Sequence, residues 1–258
     1  MYLPEAVNAS RGKTLCASIG SNPGVFGMNF HNPRFQQLGL NFTYIACFEK
    51  DVAHAIKCVR DKNIRGLGIA MPFKEQVIPL LDALDDSAVF TGAVNTVVND
   101  GGKLTGYNTD VEGFEAMILA AKLKKDERIC VHGSGGVARA VLYALRNYRD
   151  VEIYSRNEEK RNALSKRFHR KAHEHRTGNG VLINCTPVGM NGEMIDVDLT
   201  TITKVLDLIV KETPIVQAAK SAGIPAFNGD IMAAAQAAKQ FKLYTSHKAP
   251  HEIKVPNT

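Results

Sequence analysis

The 258-residue sequence predicts an α/β protein of two α/β domains, the first built on a mostly parallel sheet. Three observations carry this prediction. Short β-branched runs alternate with helical stretches along most of the chain, the order that gives parallel strands joined by crossover helices. Arg128 to Ala140 climbs a strand, turns through glycines and opens a helical run. The polar stretch Lys122-Leu123-Lys124-Lys125-Asp126-Glu127 precedes that strand and reads as a connection. The expected partition is a first domain over 1–109, a linking helix over 110–125, a second domain over 126–235, and a C-terminal helix end and tail over 236–258 packing back toward the first.

In the first domain residues 14–19 read as a strand, followed by a glycine-rich loop from Gly20 to Gly27 and a helix near 30–38 ending at Gly39. Phe42 to Ala46 is a second strand, Asp51 caps a helix over 52–62, and Gly66 to Ala70 is a third strand. That strand runs into Met71-Pro72-Phe73-Lys74, where the proline fixes the backbone and Lys74 falls at the start of the next helix. Helix starts disfavour cations, so a lysine there calls for an anionic neighbour. Gly92–Val98 and Leu104–Asp110 flank the turn Asn99-Asp100-Gly101-Gly102 and predict a hairpin. The hairpin sets Asn95 beside Asn108 and Asp110, and Asp110 caps a helix over 111–122. Within reach of Lys74 and Asn95, that carboxylate is half of a proton-transfer pair.

The second domain turns on Gly133-x-Gly135-Gly136-x-Ala138. The first glycine allows a tight turn, the next lets backbone amides approach a pyrophosphate, and the helix start adds N–H groups and partial positive charge. Gly133, Ser134, Gly135, Gly136, Val137 and Ala138 are therefore the expected phosphate turn of a Rossmann-like, dinucleotide-binding domain. A second strand, Val151 to Ser155, ends at Arg156. An acidic residue there would bind the adenosine ribose; Ser155-Arg156-Asn157 instead suits a ribose 2′-phosphate, which favours NADP over NAD. Lys160 or Arg161 adds charge. The chain continues with helices over 136–147 and Asn157–Phe168, then a strand Val181–Thr186 ending in the loop Pro187-Val188-Gly189-Met190. A strand over 205–209, a helix opened by Thr213-Pro214 and an alanine-rich helix at 230–242 complete it, with Gln236 the polar exception. The tail from Thr245 reads as a loose end.

Composition narrows the function. Apolar residues make up 45% and charged residues 22%, an ordinary soluble balance. No apolar run reaches the roughly 20 residues that span a bilayer, and the N-terminus lacks the pattern of a secretion signal. Five cysteines form no CxxC pair and read as reduced thiols of a cytoplasmic protein. The formal charge of +6 is spread out, which suits an anionic cofactor or substrate rather than nucleic acid or a membrane surface. His169-x-x-x-His173-x-His175 lacks a fourth ligand and reads as solvated surface, so no metal is expected. His132 reads as packed inside its strand, and Cys185 lacks the surroundings of an activated thiolate.

The ordered set Met71-Pro72-Phe73-Lys74, Gly92-Ala93-Val94-Asn95-Thr96, Tyr107-Asn108-Thr109-Asp110, Gly133-Ser134-Gly135-Gly136, Asn184-x-Thr186-Pro187-x-Gly189-Met190, Thr213-Pro214 and Gln236-Ala237-Ala238 resembles the shikimate dehydrogenase family. The resemblance runs from Leu15 to Phe241 and is close to the divergent shikimate dehydrogenase-like branch. It implies an NADP-dependent dehydrogenase with its active site in the cleft between a substrate domain and an NADP domain. Lys74 and Asp110 become the catalytic pair, and Asn95 and Gln236 the partners of substrate hydroxyls. Arg156 takes the adenosine phosphate, Met190 lies in the nicotinamide-side loop, and Thr186, Lys160 and Gly229 join the cofactor set. The implied partner is a small anionic cyclic hydroxy acid, and either a monomer or a homodimer fits.

The departures from the family are all on the substrate side. Its Ser-x-Ser pair, which holds the substrate carboxylate, aligns through His31 with Val25, Phe26 and Gly27; Ser18 and Ser21 are the candidate substitutes. Ala70 stands where the family has Thr, and Val210 or Lys211 occupies the region of its tyrosine. Each lost charged-group contact costs roughly 1–3 kcal/mol. The expectation is therefore weak or altered shikimate activity, with quinate or another cyclic polyol acid as the alternative. A catalytically weak NADP-binding regulator is the reading outside enzymology.

Overall fold

The computed structural model describes residues 1–22, 24–174 and 179–250. It divides into two units, Met1–Thr109 with Gln236–Thr258, and Asp110–Ala235.

The first unit opens with helix α1 (Leu3–Ala9), which the sequence reading leaves unassigned, and continues β1 (Thr14–Gly20), α2 (Phe26–Gln37), β2 (Phe42–Phe48), α3 (Val52–Asp61) and β3 (Gly66–Ile69). Then come β4 (Ala83–Leu84), α4 (Asp86–Thr91), β5 (Thr96–Asp100) and β6 (Lys103–Tyr107). The strands form one sheet in the order β2-β1-β3-β5-β6-β4. Only β5 runs against its neighbours, because a tight hairpin must reverse the chain. The Asn99 side chain accepts from the Gly102 amide at 2.8 Å and closes that turn.

Alternation along β1 separates two cores. Leu15, Ala17 and Ile19 face the apolar stripe Val52, Ala55, Ile56 and Val59 of α3. Cys16 faces an aromatic layer of Phe30, Phe35, Tyr44, Phe241 and Tyr244. The last two belong to α9 (Asp230–Thr245), whose second half lies in this unit.

Two expectations are corrected here. Lys74 does not begin an α-helix: Met71 to Val77 is a run of turns leading into the 3₁₀ turn Ile78–Leu80. Pro72 and Pro79 bracket too few residues for a helix to propagate between them. The chain after Thr245 is also not loose as far as it is described. Thr245 ends α9, Ala249 is buried, and the Arg34 guanidinium donates to the Pro250 carbonyl at 3.2 Å. Residues 251–258 lie outside the described residues.

The second unit runs α5 (Asp110–Ala120), β7 (Arg128–His132), α6 (Gly136–Ala144), β8 (Asp150–Tyr154), α7 (Glu158–Phe168), β9 (Lys171–His173), β10 (Gly180–Asn184), β11 (Ile202–Asp207), α8 (Pro214–Ser221) and β12 (Ala226–Phe227). Its sheet is wholly parallel, in the order β12-β11-β10-β7-β8-β9. Numbered within the unit, that is the doubly wound order 3-2-1-4-5-6, whose direction of winding reverses between β7 and β10. One face packs on α5 and α6 through Phe114, Met117, Val141 and Leu142; the other packs Leu182 and Val205 on Ile215 and Val216 of α8.

Candidate active site

In the first unit the polar residues gather where β3, the start of β5 and the end of β6 meet α9. The segment after β3 is held by the Ala70 amide on the Ile19 carbonyl at 2.9 Å and by the Lys74 carbonyl, which accepts from Val94 at 2.8 Å. Lys74 itself is half-buried, one residue-to-residue bond from Asn95's neighbour. Asn95 is buried at the start of the hairpin, and its backbone amide donates to the Tyr107 carbonyl at 3.0 Å. Its side-chain oxygen accepts from the Thr109 amide at 2.8 Å, and its nitrogen donates to the Thr109 hydroxyl at 3.0 Å. Thr109 reaches Gln236 Oε1 at 3.3 Å, so the hairpin and α9 are tied through two side chains. Asn108 is fully buried and donates to Thr91 at 3.0 Å, which pins this corner to α4.

Of the residues expected to touch substrate, the structure joins Asn95 and Gln236 through Thr109. Asp110 follows as the first residue of α5 and is buried; it opens the second unit while Lys74 belongs to the first. Ser21 is exposed at the end of β1, with its amide 3.4 Å from the Met71 carbonyl. Ser18 lies half-buried in mid-strand, on the sheet face shared with Tyr44 and Gly68. Three residues that the sequence reading did not single out belong to this corner: Thr96, Thr109 and Gln240. Gln240 sits one helical turn from Gln236 in an alanine-rich helix, a spacing that could have flagged it.

His31 and Tyr44 form the wall behind. The His31 ring is fully buried and stacks on Tyr44 at 4.5 Å, with Phe35 and Phe241 on its other sides. Burial pushes its pKa down to about 3, so the ring is neutral at physiological pH. Burial likewise pushes the Tyr44 phenol up, and it stays protonated.

The second unit carries the cofactor residues. Gly133 leaves β7 with φ +127°, and an added Cβ would lie 3.0 Å from the Cys185 carbonyl carbon and oxygen. Only glycine fits that turn at that distance from the β10 loop. Gly135 caps α6 without a side-chain hydrogen bond, and a Cβ there meets nothing within 4 Å. Space above the turn and first-turn amides are what a dinucleotide phosphate requires. Val137 is half-buried behind it, and Ala138 is buried against the core.

Ser134 and Ser155 lie with their hydroxyl oxygens 2.7 Å apart, joining the glycine turn to the end of β8. Arg156 is exposed just beyond, Asn157 caps α7 by accepting from the Lys160 amide at 2.8 Å, and Lys160 is exposed in the first turn of that helix. Arg161 is instead buried, donating to the Ser155 carbonyl at 2.9 Å. The geometry thus gives Arg161 a structural role and leaves Arg156 and Lys160 as the exposed cations. Ser155, Arg156 and Asn157 at the end of β8 carry no carboxylate; the next acidic residues in the chain are Glu158 and Glu159 in the first turn of α7.

Beyond β10, Asn184 organises the loop. Its oxygen accepts from the Thr186 amide and hydroxyl at 3.0 and 2.6 Å, and its nitrogen donates to Val188 and to Asp207. Asp207 is buried, also accepts from Thr213 at 2.6 Å, and burial pushes its pKa up. Met190 at the loop tip is exposed, and the Gly229 amide donates to Ile209 at 2.8 Å beside β11. His132 is buried edge-on to Tyr154, and burial raises the Cys185 thiol, which leaves it un-ionised. His169 ends α7 in a left-handed conformation and His173 faces Glu152 at 3.2 Å; His175 lies outside the described residues. Among the described residues no three His, Cys, Asp or Glu side chains cluster as metal ligands.

Comparison with known proteins decides the family. Residues 25–97 match the model of the shikimate dehydrogenase substrate binding domain. A shikimate dehydrogenase-like protein of Haemophilus influenzae is 36% identical over 253 residues, 93% of each chain. The chain belongs to the shikimate dehydrogenase family. The shikimate dehydrogenase (NADP(+)) of Aquifex aeolicus is 34% identical over 87% of this chain and 88% of its own. The Thermus thermophilus enzyme, solved in complex with NADP(H) and shikimate, superposes with a TM-score of 0.81 at 28% identity, covering 92% of this chain and 95% of the other. An added Cβ at Gly27 would lie 2.6 Å from Cε1 of Tyr44, so the backbone there packs directly on that ring.

Proposed function

We propose that this protein is an NADP-dependent dehydrogenase that interconverts a CH–OH group and a ketone on a shikimate/3-dehydroshikimate-like cyclic hydroxy acid. The observation that carries the reading is the bonded set Asn95–Thr109–Gln236 beside the Lys74 segment, in a chain of the shikimate dehydrogenase family. Two side-chain amides held a few ångströms apart suit adjacent hydroxyls on one small ring.

NADP, when bound, accepts or supplies the hydride. Gly133, Gly135 and Gly136 would hold its pyrophosphate, and Arg156 and Lys160 its ribose phosphate. Val137, Ser134, Ser155, Asn157, Thr186, Met190 and Gly229 complete the proposed cofactor set, with Ala138 packed in the core behind the turn. In the oxidative direction Lys74 takes the hydroxyl proton as the carbon–hydrogen bond breaks; in the reductive direction it returns the proton to the forming alkoxide. Asp110, the buried carboxylate that follows Thr109, is the acidic residue of the proposed catalytic set. Asn95 and Gln236 fix the ring by its hydroxyls.

The altered wall at Gly27 and Tyr44 favours weak shikimate activity, and quinate or another cyclic polyol acid as the alternative substrate. The partner is a small anion, not nucleic acid. The unpaired cysteines suit a reducing compartment, where we place the enzyme. Purified protein supplied with NADP and shikimate, quinate or a related cyclic acid should form NADPH with at least one of them. Saturable NADP binding without NADPH formation from any would overturn the dehydrogenase reading in favour of a binding role.

A further inference from the structure

We propose that Thr96 is a positioning residue of the substrate site, the link through which a one-way hydrogen-bond relay makes Gln236 meet the substrate with N–H donors. The inference rests on the function proposed above and adds the polarity of the site to it.

One contact fixes the direction. A backbone N–H can only donate, so the Asn95 atom 2.8 Å from the Thr109 amide is the side-chain oxygen. The Thr96 hydroxyl, 2.8 Å from the same oxygen, must then donate to it. Having spent its hydrogen, Thr96 Oγ1 accepts from Gln240 Nε2 at 2.9 Å. On the other side Asn95 Nδ2 donates to Thr109 Oγ1 at 3.0 Å. The Thr109 hydroxyl lies 3.2 Å from Asn95 Oδ1 and 3.3 Å from Gln236 Oε1. Asn95 Oδ1 already accepts from Thr96 and from the Thr109 amide, and Thr96 Oγ1 is farther from the Thr109 hydroxyl at 3.4 Å, so the Thr109 hydrogen goes to Gln236.

The relay therefore runs Gln240, Thr96, Asn95, Thr109, Gln236, starting and ending one turn apart on α9. Thr96, Asn95, Thr109 and Gln240 are buried, which makes each bond costly to leave unmade. Gln236 Oε1 is turned inward by Thr109, and its amide nitrogen takes the opposite side. At that place the site selects a ring oxygen with lone pairs, a hydroxyl or keto oxygen, and rejects an ammonium.

Thr96→Val removes the hydroxyl without changing the shape of a buried strand position, and Thr96→Ser returns it. Two readouts are needed. In ¹⁵N-labelled protein the side-chain amides of Asn95 and Gln240, whose N–H groups donate within the relay, should exchange slowly with solvent in the wild type and Thr96→Ser, and faster in Thr96→Val. Unchanged exchange in Thr96→Val would overturn the relay, whether or not the protein turns over shikimate. In the turnover assay Thr96→Val should raise the KM of the cyclic acid about tenfold and leave the KM of NADP unchanged, with Thr96→Ser restoring it. A loss shared equally between acid and cofactor would mark a merely structural role. Gln236→Glu, which keeps the inward acceptor and replaces the outward N–H by an oxygen, should raise the acid's KM more than Gln236→Ala; the reverse order would also contradict the polarity. Absence of turnover in the wild type would sink the dehydrogenase reading alone.

Discussion

The Cβ that Gly27 lacks would lie 2.6 Å from Cε1 of Tyr44 and 3.1 Å from its hydroxyl. The phenol has room because a second glycine, Gly68 on β3, also lacks the Cβ that would stand 2.8 Å from that hydroxyl. Tyr44 is buried, stacked on His31, and its backbone is locked to the Asn32 side chain at 2.7 and 3.0 Å. The ring is therefore not free to swing away. A side chain at 27 would press on that ring and force it or the backbone to shift.

Gly27→Ser should accordingly destabilise the protein by about 1–3 kcal/mol through overpacking and leave shikimate turnover no better than in the wild type. Denaturant unfolding and the NADPH assay check both halves. A serine accepted at full stability with raised turnover would show that Tyr44 yields.

His31 predicts an acid sensitivity. Its folded-state pKa of about 3 lies below the ordinary value of 6.5, so the unfolded chain binds the proton more readily. The ring's contribution to stability is then full above pH 6.5 and is lost as pH falls toward 3. His31→Phe keeps an aromatic in the stack and removes the titration. The stability difference between about pH 7 and about pH 5 should shrink in this variant; an unchanged difference would assign the acid sensitivity elsewhere.

Gly133→Ala tests the phosphate turn. The residue holds φ +127° with no space on the Cys185 side, so alanine should cost about 1–3 kcal/mol and weaken NADP binding. Calorimetric titration with NADP and a melting curve on the same sample separate the two effects. Wild-type affinity in a stable variant would show that the turn is not the phosphate site.

Arg156→Ala should weaken NADP by about tenfold or more and change NAD little, because a charge-assisted contact to the ribose phosphate is what distinguishes them. Equal losses for both cofactors would remove the assignment. Arg161 is the control of opposite kind: it is buried on the Ser155 carbonyl, so its replacement should lower stability first.

The α/β class was legible because its signal is local: β-branched runs of five to seven residues such as β1, β2 and β7 alternate with capped helices such as α3. Strands β4 and β12, two residues each, carry no periodicity to read and exist only through their neighbours. The helix expected at Lys74 failed because a turn run between prolines looks, by composition, like a helix start. The chain beyond Thr245 looked polar and loose, yet Arg34 holds Pro250 across 216 residues, a contact no local pattern encodes. In the site the same divide recurs. Lys74, Asn95, Asp110 and Gln236 stand out as polar residues at strand ends and on an alanine-rich helix. Thr96 and Gln240 meet across 144 residues, and Gly27 is explained only by a ring from another strand.

The most direct test is NADPH formation from NADP and shikimate by the wild type and Lys74→Ala, with circular dichroism and NADP binding measured on both. The wild type should turn over shikimate, weakly, and Lys74→Ala should lose about two or more orders of magnitude while it still folds and binds NADP. Turnover in Lys74→Ala close to that of the wild type would contradict the account at its centre.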